Sequence, residues 1–594
     1  MRRPPSLDCA IDYRFDSFSR LLSADSARKD NCIHIELKMR HSAYQPDRFS
    51  KIGTPIFNQL CARATQVIAF GILILTWGML TANASVKDAL VSKWGRFEQT
   101  FKSSVNYENP LQQCTLKITI VSPSGLTNVI DGFWDGGKTW RVRFSPDQLG
   151  YWTYYTVCSD KSNPGLDNQS GKFLCTTPVG TSRFAQHGPI QVAKDRHHFE
   201  HTDGTPFFWM ADVAWNAPRL SSARDWIIYT QTRAGQNFSA VEWSVDSGAH
   251  AKNRSAFTGR DRIAIDPAYF QTLDEKIEMM NRAGLLSVIA PFWENANAPD
   301  NEFLPEEQVS LLVHYLNARW SAYDVAWLLT TAEGHRARWI RIGREVFANT
   351  RHAPVILFTG ELNPGIAFQF PNDPWVDALG FGLGQNLNDD SAQGLIFGLL
   401  NRESSDRHVR PFINVLPPLE NSPAPQGQSR INADDVRRVA WWSFLLTPSA
   451  GVSYGAQDVA TWNSTKQSKF PAWQISLFLP GAKQLSLLQT SIQSLHWWTL
   501  RPAPQALSSQ PGNEHPNRYI AHATSETRNL SFTYVPEDRT LDLFLDALPP
   551  VPEIHWLNPR TGKISSAVAV VGTRTCQIPT LDQGDWVLLM KSGK

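Results

Sequence analysis

The sequence predicts a central (β/α)8 barrel of the TIM type, flanked by an N-terminal and a C-terminal β-sandwich. Eight short apolar runs recur between residues 207 and 458, and stretches with helical spacing separate most of them. This rhythm is typical of parallel strands joined by crossover helices, and eight such repeats close a barrel. The eight runs are residues 207–215, 238–243, 285–295, 325–333, 354–361, 376–386, 411–420 and 450–458.

The crossover helices carry their own start and stop patterns. Asp266 is a suitable N-cap for a helix that begins at Pro267 and ends at Gly284, and its apolar stripe is Phe270, Leu273, Ile277 and Met280. A second helix shows a stripe of Val309, Leu312, Val313 and Leu316, and a third opens at Asn432 with an acidic first turn. Each lies between two predicted strands, as a crossover must.

Shorter alternating runs predict antiparallel sheets on both sides of the barrel. LKITI and WRVRF place apolar residues on one face, and the segments SPSG and WDGGK between such runs supply turns. Short runs of the same kind return from about residue 484. We therefore expect an N-terminal extension over residues 1–84, a sandwich over 86–180, the barrel over 185–480 and a second sandwich over 484–594.

Composition narrows the range of partners. A chain of 594 residues is too long for one core, so two to four domains are expected. The 57 Lys and Arg residues balance 55 Asp and Glu residues, which argues against a nucleic-acid partner. Tryptophan is abundant, with 22 copies. Some of these indoles will fill cores, but flat indole faces also stack on sugar rings, so the surplus favours an extracellular protein that binds carbohydrate.

The N-terminal region predicts export. Residues 67–80 form an apolar stretch with Arg63 before it and the sequence Ala82-Asn83-Ala84 after it, which resembles a signal peptide cut after Ala84. The alternative is a membrane anchor, although the stretch is shorter than the roughly 20 residues that span a bilayer. We expect a secreted or periplasmic protein with a signal segment at about residues 63–84, or a membrane-anchored one if that segment is not cleaved. The signal would begin unusually deep in the chain.

The cysteines suggest one disulfide and no metal. Cys158 and Cys175 bracket a polar loop, and a bridge between them would suit an exported protein. The alternative is two unpaired thiols on adjacent strands. No CxxC motif or His/Cys cluster has metal-ligand spacing, so neither zinc nor another cofactor is expected.

Acidic residues gather at the ends of the predicted strands, where barrels keep their active sites. Cleavage of a glycosidic bond needs two carboxyl groups, one protonated and one ionised, and different strands can supply them. Crowded carboxylates also raise one another's pKa, which keeps one of them protonated near neutral pH. The strand-end acids are Asp212, Glu242, Glu294, Glu333, Glu361 and Glu420.

Glu333 is the first choice for the catalytic acid. It follows the apolar run that begins VAWLL, so we expect its carboxylate to emerge from a dry wall; the alternative is a cap for the next helix. We expect Trp215 and Trp293 to act as platforms for sugar rings, and Gln385 to contact substrate at the end of the sixth strand.

The order of several motifs resembles the apiosidase-like glycoside hydrolases over roughly residues 90 to 592. The motifs are DGFWDGGKTWRVRFSPDQLGYWTY, DGTPFFWMADVAW, VAWLLTTAEG, PFINVLPPLE, GVSYGAQD, HWLNPRTGK and GDWVLL. The resemblance implies an N-terminal sandwich of unknown function, a catalytic (β/α)8 barrel and a C-terminal domain named for collagen binding, which we interpret as a packing domain. It also implies that Glu333 is the general acid/base and that Asp212, Trp215 and Tyr454 belong to the site.

The seventh strand departs from the family pattern. Relatives tend to read Asn-x-Glu-Pro-x-Tyr-Glu, whereas this chain has Leu416 at the first acidic position and keeps only the second, Glu420. Either Glu420, alone or with Glu361 or Glu242, supplies the second carboxylate, or cleavage has been lost and sugar binding remains.

The sequence thus predicts a secreted glycoside hydrolase that acts on complex polysaccharide side chains, with a non-catalytic carbohydrate-binding or surface protein as the alternative. The predicted catalytic residues are Glu333 and Glu420. The predicted substrate-binding residues are Asp212, Trp215, Glu242, Trp293, Glu294, Glu361, Gln385 and Tyr454.

Overall fold

In the computed structural model, eight parallel strands in the middle of the chain close into a barrel, because the first strand pairs with the eighth as well as with the second. The predicted fold class is therefore confirmed. The barrel strands, in chain order, are Trp209–Val213, Ala240–Asp246, Leu286–Phe292, Val325–Leu329, Val355–Glu361, Ala378–Gly382, Phe412–Leu416 and Gly451–Ala456. A short extra strand, Leu419–Glu420, pairs with the end of the eighth.

The structure describes residues 88–593, except residues 247–254, 293–303, 330–335, 363–372, 402–407, 424–428 and 468. The extension, the apolar stretch at 67–80 and Cys9, Cys32 and Cys61 lie outside the described residues. Within the described part, no helix is both long and apolar enough to cross a bilayer.

Two short helices, Pro110–Gln113 and Arg183–His187, precede the barrel in the chain. The helices around the outside of the barrel are Ala217–Leu220, Ala223–Gly235, Pro267–Arg282, Glu306–Trp320, Arg336–Phe347, Asp389–Leu400, Ala433–Leu445, Gln457–Ala460, Ala472–Ser476 and Pro480–Ile492.

Two of the predicted helix starts are present as expected. Asp266 accepts a hydrogen bond from the Ala268 N–H, and Asn432 forms a capping box with Asp435.

The N-terminal region consists of two packed antiparallel-rich sheets. One has the strand order Ala89–Ser92, Ser170–Thr176, Gly150–Cys158, Leu116–Val121 and Thr127–Asp131, and the other has the order Phe97–Lys102, Thr139–Phe144 and Phe133–Trp134. Alternating side chains from both sheets share one core, in which Phe97 stacks on Phe173 with ring centroids 4.0 Å apart.

The expected bridge between Cys158 and Cys175 is not formed. Cys175 lies opposite Gly150, at the start of the strand that Cys158 ends, so the antiparallel register holds the two thiols at opposite ends of that strand. All four described cysteines are free thiols. Cys158 and Cys175 bracket the loop in sequence, but the turn of that loop lies between Tyr155 and Ser170, well short of Cys175.

A buried set of charged residues holds the N-terminal sandwich against the barrel helices. Arg319 and Asp274 come from two helices, whereas Arg143 and Asp135 come from the sandwich. Arg319 binds Asp274 through Nη2 at 2.7 Å and Asp135 through Nη1 at 2.9 Å, and Arg143 binds Asp274 at 2.8 Å. Because each charge is paired and hydrogen-bonded, its burial is tolerated.

The C-terminal region forms a second pair of sheets. The larger has the order Leu500–Pro502, Ala521–Ser525, Leu530–Val535, Trp586–Ser592, Pro552–Leu557 and Ile564–Ser566, and the smaller has the order Thr540–Phe544, Thr575–Pro579 and Val570–Val571. This region packs on the helix Ala433–Leu445, where Arg437 holds Asp585 through two hydrogen bonds of 2.6 and 2.7 Å and Trp441 stacks on Tyr534.

The described residues also form three further small sheets. Ile190–Val192, Phe199–His201 and Pro206–Phe207 form one just before the barrel, and two hairpins pair Phe257–Thr258 with Ala264–Ile265 and Lys466–Gln467 with Phe470–Pro471. The first sheet closes the bottom of the barrel, because Phe199 and Phe207 belong to the interior cluster and the Phe199 ring lies 5.8 Å from that of Trp209.

Most of the described tryptophans fill cores. Those less than 2% exposed include Trp152, Trp209, Trp226, Trp243, Trp320, Trp327, Trp339, Trp441, Trp442, Trp473 and Trp556. The tryptophan surplus therefore reflects packing more than a sugar-binding surface.

Candidate active site

Side chains of the first barrel strand alternate between the interior and the helix layer. Trp209 and Ala211 belong to the cluster inside the barrel, whereas Met210 belongs to the cluster between barrel and helices. This alternation decides which of the predicted acids face the interior and which face outward.

Glu242, on the second strand, points into the barrel. Its Oε1 accepts hydrogen bonds from Ser453 Oγ at 2.7 Å and from Trp209 Nε1 at 3.2 Å. The residue is fully buried, and burial raises the pKa of Glu242 to about 8, although both hydrogen bonds oppose that rise. Oε2 has no hydrogen-bond partner among the described residues. Burial inside the barrel therefore favours the neutral, protonated form of Glu242.

Asp212 lies on the outer side of the barrel wall, facing the helices. Its Oδ2 accepts hydrogen bonds from Arg233 Nε at 2.8 Å and from the Tyr229 hydroxyl at 2.7 Å, and Asp212 and Arg233 are both fully buried. Both partners lie on the helix Ala223–Gly235. Asp212 thus joins the barrel wall to its first long helix, and it does not face the interior where we expected a substrate contact.

Tyr454 and Glu420 form a second pair in the helix layer. The Tyr454 hydroxyl donates to Glu420 Oε2 at 2.6 Å, and the Gly481 N–H donates to both Glu420 oxygens at 3.1 and 3.2 Å. Gly481 lies in the first turn of the helix Pro480–Ile492, so Glu420 satisfies a helix N-terminus. Glu420 is 3% exposed. Its carboxylate is occupied by structural donors on the outer side of the wall.

Leu416 occupies the position where the resemblance places an acid. Its side chain is half-buried and packs against the cluster inside the barrel. It also lies over Gly382 of the sixth strand, where a β-carbon would come within 2.7 Å of Leu416 Cβ. The seventh strand therefore presents an aliphatic group to the barrel interior at this position.

Glu361, at the end of the fifth strand, is exposed. Its carboxylate lies over Gly384, where a β-carbon would be 2.5 Å from Glu361 Oε1, and Gly384 has a φ of +68° that suits glycine. Of the predicted site acids that the structure describes, Glu361 is the one at the rim that is open to solvent; the other three are buried.

Trp215 and Gln385 lie near the same end of the strands. Trp215 is half-buried and packs against the interior cluster, so part of its indole remains accessible. Gln385 Oε1 accepts hydrogen bonds from the Leu419 N–H at 2.9 Å and from Ser422 Oγ at 2.7 Å. Gln385 thereby ties the segment after the sixth strand to the segment after the seventh.

Three predicted site residues, Glu333, Trp293 and Glu294, lie outside the described residues. The strand that leads to Glu333 is described as far as Leu329, where it pairs with Leu357 of the fifth strand. Glu361 is therefore on the strand next to the one that precedes Glu333.

Sequence reasoning missed the partners of these acids. Ser453 and Trp209 hold Glu242, and Arg233 holds Asp212. Ser453 and Arg233 did not stand out in the sequence, and Trp209 stood out only as a candidate platform for a sugar ring. The alternation of Ser453 and Tyr454 along the eighth strand carried the missing information, since neighbouring residues of a strand face opposite sides of the barrel wall.

The barrel end opposite Glu361 has a cavity of about 340 Å³ between the N-terminal sandwich and the first residues of the strands. Asp131, Arg143, Asp324 and Arg351 are among its lining residues. It does not coincide with the strand ends that carry the predicted site. In the described part of the chain, no group of His, Cys, Asp and Glu side chains is arranged to hold a metal ion.

Solved structures share this fold at low sequence identity. A glycoside hydrolase aligns over 70% of this chain and 99% of its own length with 16% identity and a TM-score of 0.59. A glycoside hydrolase family 5 protein from Bacteroides vulgatus ATCC 8482 covers 70% and 95% at 17% identity and a TM-score of 0.58. A candidate glycoside hydrolase from the same organism covers 85% and 100% at 18% identity and a TM-score of 0.63. These similarities show the fold alone.

No protein with a curated description matches the sequence. The family comparison is more specific. The apiosidase-like catalytic domain matches residues 193–499, and a domain of unknown function, DUF5060, matches residues 90–159. The first match spans more than half of the chain and contains all eight barrel strands. The chain therefore belongs to the apiosidase-like family of glycoside hydrolase-type barrels, as the order of its motifs predicts.

Proposed function

We propose that the protein is an exported glycoside hydrolase that cleaves O-glycosidic bonds in the side chains of complex polysaccharides. Family membership and the strand-end acids support this function. The observation that carries it is the position of Glu361, an exposed residue at the rim on the strand beside the one that leads to Glu333.

Glu333 is the proposed general acid/base, as the family resemblance implies. It would protonate the leaving oxygen as the glycosidic bond breaks, and then deprotonate a water molecule if the enzyme retains configuration. The apolar fourth strand, in which every residue from Val325 to Leu329 is buried, supports a dry environment for this group.

Glu361 is a better second carboxylate than Glu420 or Glu242. A nucleophile or base must be ionised and must reach the anomeric carbon or a water molecule beside it. Glu420 already accepts three hydrogen bonds from Tyr454 and Gly481. Glu242 is fully buried, and burial favours its protonated form by raising its pKa to about 8. Glu361 is exposed at the rim of the barrel, where a bound substrate can reach it.

Trp215 is the proposed platform for the sugar ring. Its half-buried position above the barrel interior leaves apolar surface at the mouth, and a sugar ring has an apolar face that packs against indole. Asp212, Tyr454, Glu420 and Gln385 then support the wall and loops that position the site, since each is engaged by protein partners.

Kinetics of matched variants test the assignment. We expect Glu333→Gln and Glu361→Gln each to lower kcat on aryl glycosides or pectic fragments by at least about 100-fold. Glu420→Gln and the surface control Glu526→Gln should keep kcat near that of the wild type. Wild-type turnover in Glu361→Gln would exclude Glu361, and wild-type turnover in Glu333→Gln would refute the whole mechanism.

Leu416 favours a second function, carbohydrate binding without cleavage. The family resemblance implies an acid at this position of the seventh strand, and a leucine there would leave a binding cleft without the expected nucleophile. This alternative predicts measurable glycan affinity with no release of reducing sugar. Hydrolysis above a blank that disappears in Glu333→Gln would exclude it.

Export is proposed from the segment at residues 63–84. N-terminal sequencing of the protein recovered outside the cytoplasm should begin at Ser85 if cleavage follows Ala84. An intact segment in a membrane fraction would instead support an anchored protein.

A further inference from the structure

Two buried thiols meet at one end of the N-terminal sandwich, where the inner strands Leu116–Val121 and Gly150–Cys158 pair. The Sγ atoms of Cys114 and Cys158 lie 3.4 Å apart, and the residues are 5% and 0% exposed. Cys158 pairs with Leu116 across neighbouring strands, and Cys114 lies two residues before Leu116. The contact joins positions 44 residues apart in the chain, a pairing that sequence spacing did not suggest.

We propose that Cys114 and Cys158 form a disulfide bond when the chain folds in an oxidising compartment. The two thiols lose their hydrogens to a disulfide oxidant, such as glutathione disulfide or a disulfide oxidoreductase. One new S–S bond forms in the protein while the S–S bond of the oxidant is reduced to two thiols. The proposal relies on the proposed export for its oxidant and is independent of the proposed hydrolysis.

Hydrogen bonds fix the main chain at each of the two cysteines, which keeps their sulfur atoms close to each other. The Cys114 N–H donates to the Pro110 carbonyl at 3.1 Å, and the Cys158 N–H donates to Asp167 Oδ1 at 2.8 Å. Closing the contact to the roughly 2.05 Å of an S–S bond therefore needs side-chain movement and little change in the strands. Cys175 shares the sandwich core with this pair but lies opposite Gly150, at the other end of the strand that Cys158 ends, and Cys576 belongs to the core of the C-terminal region.

Burial also affects when the bond would form. It raises the pKa of the Cys158 thiol to about 12, so the reactive thiolate is scarce in the folded state. We therefore expect oxidation to occur during folding, before the core closes, and the completed bond to resist reduction until the sandwich opens.

The bond would fix the segment by which the sandwich contacts the barrel. Just before Cys114, Asn109 Nδ2 donates to the Ile263 carbonyl at 2.9 Å, and Gln112 Nε2 donates to Gln308 Oε1 at 2.7 Å. Gln308 lies on the barrel helix Glu306–Trp320. A cross-link from Cys114 to Cys158 would anchor this contact segment, residues 109–113, to the longest strand of the sandwich.

Peptide mapping of the full chain tests the bond. The protein is opened in moderate urea with a mixture of oxidised and reduced glutathione, diluted to refold, treated with an alkylating reagent and digested without reductant. We expect a linked peptide pair that contains Cys114 and Cys158, and the same pair in the Cys175→Ser and Cys576→Ser controls. Recovery of both residues alkylated would overturn the proposal, as would linkage of either one to a different cysteine.

A second measurement tests the consequence for the docking segment. We expect the melting midpoint of the oxidised protein to exceed that of the reduced protein by roughly 3–5 °C. Hydrogen exchange at residues 109–116 should slow on oxidation, while the strand Leu530–Val535 of the C-terminal region serves as an unaffected reference. Equal midpoints and equal exchange in the two forms would refute the stabilising role, even with the bond present.

Discussion

Asp212 and Tyr454 are direct partners across the first and eighth barrel strands, and both side chains point away from the barrel interior. Each binds a group in the helix layer: Asp212 binds Arg233, and Tyr454 binds Glu420. The Arg233 guanidinium also lies over the Tyr454 ring, 5.6 Å from its centroid. Three of the predicted site residues therefore do converge, but on the outer side of the barrel wall.

Removal of Glu420 should therefore affect stability more than catalysis. Glu420→Ala leaves the buried Tyr454 hydroxyl and the Gly481 N–H without their acceptor, so we expect the free energy of unfolding to fall by about 2–4 kcal/mol. Urea unfolding measures this loss, and kcat per folded molecule should stay within about twofold of the wild type. The exposed control Glu526→Ala should change neither quantity. A folded, equally stable variant with no turnover would return Glu420 to the catalytic machinery.

Glu242 should make stability depend on pH. Its pKa is raised to about 8 in the folded protein, whereas an unfolded glutamate titrates near its ordinary value of 4.5. The folded state keeps its proton while the unfolded state loses it, so stability should fall as pH rises from about 4.5 to 8 and then level off. The loss attributable to this group is roughly 3–5 kcal/mol.

Glu242→Gln isolates this contribution, because glutamine preserves an acceptor for Ser453 and Trp209 and does not titrate. The free energy of unfolding of the variant, measured at several pH values, should be flatter than that of the wild type, and the two proteins should differ most above pH 8. Parallel profiles would show that Glu242 is not the titrating group.

Position 416 offers a gain-of-function experiment. We expect Leu416→Glu, introduced into the inactive Glu361→Gln variant, to restore turnover by at least about tenfold, because the seventh strand would again present a carboxylate to the interior. Leu416→Met in the same background conserves volume and should restore nothing. Failure of a folded Leu416→Glu variant to gain activity would mean that side chains at 416 do not reach the substrate.

The buried charged residues between the sandwich and the barrel should contribute strongly to stability. Arg319→Met removes one of the two buried arginines that bind Asp274 and leaves Asp135 with Arg141 alone. We expect the free energy of unfolding to fall by about 3–5 kcal/mol. Limited proteolysis between residues 177 and 182 should also accelerate. Arg341→Met removes a well-exposed guanidinium that pairs with Glu306 on the surface, and it should leave both measurements unchanged. Equal effects of the two substitutions would contradict a special role for the buried set.

The barrel could be predicted from the sequence because apolar residues recur with one spacing in its strands and with another in its helices. Eight apolar runs and the helix starts at Asp266 and Asn432 agree with the structure, since burial imposes these patterns locally. The predicted acids were harder to place. A residue at a strand end faces inward or outward according to a shift of one position, and Asp212, one residue after the inward Ala211, faces outward.

The partners of the predicted residues depend on contacts that are distant in sequence. Glu242 and Ser453 meet across 211 residues, and Cys114 and Cys158 meet because two strands align in one register. The proximity of Cys158 and Cys175 in the chain favoured the other pairing, which the length of the strand Gly150–Cys158 excludes. Local patterns carry no information on such alignments.

The four residues Asp135, Arg143, Asp274 and Arg319 also constrain any chimera built from this protein. The sandwich contributes one acid and one base, and so does the barrel, so each half is balanced before the two meet. A foreign sandwich joined to this barrel would have to present one acid and one base at the same positions of the interface. Otherwise the chimera would bury a charged side chain without a partner. Exchange of the sandwich is therefore restricted by the need to pair every buried charge at the junction as much as by shape.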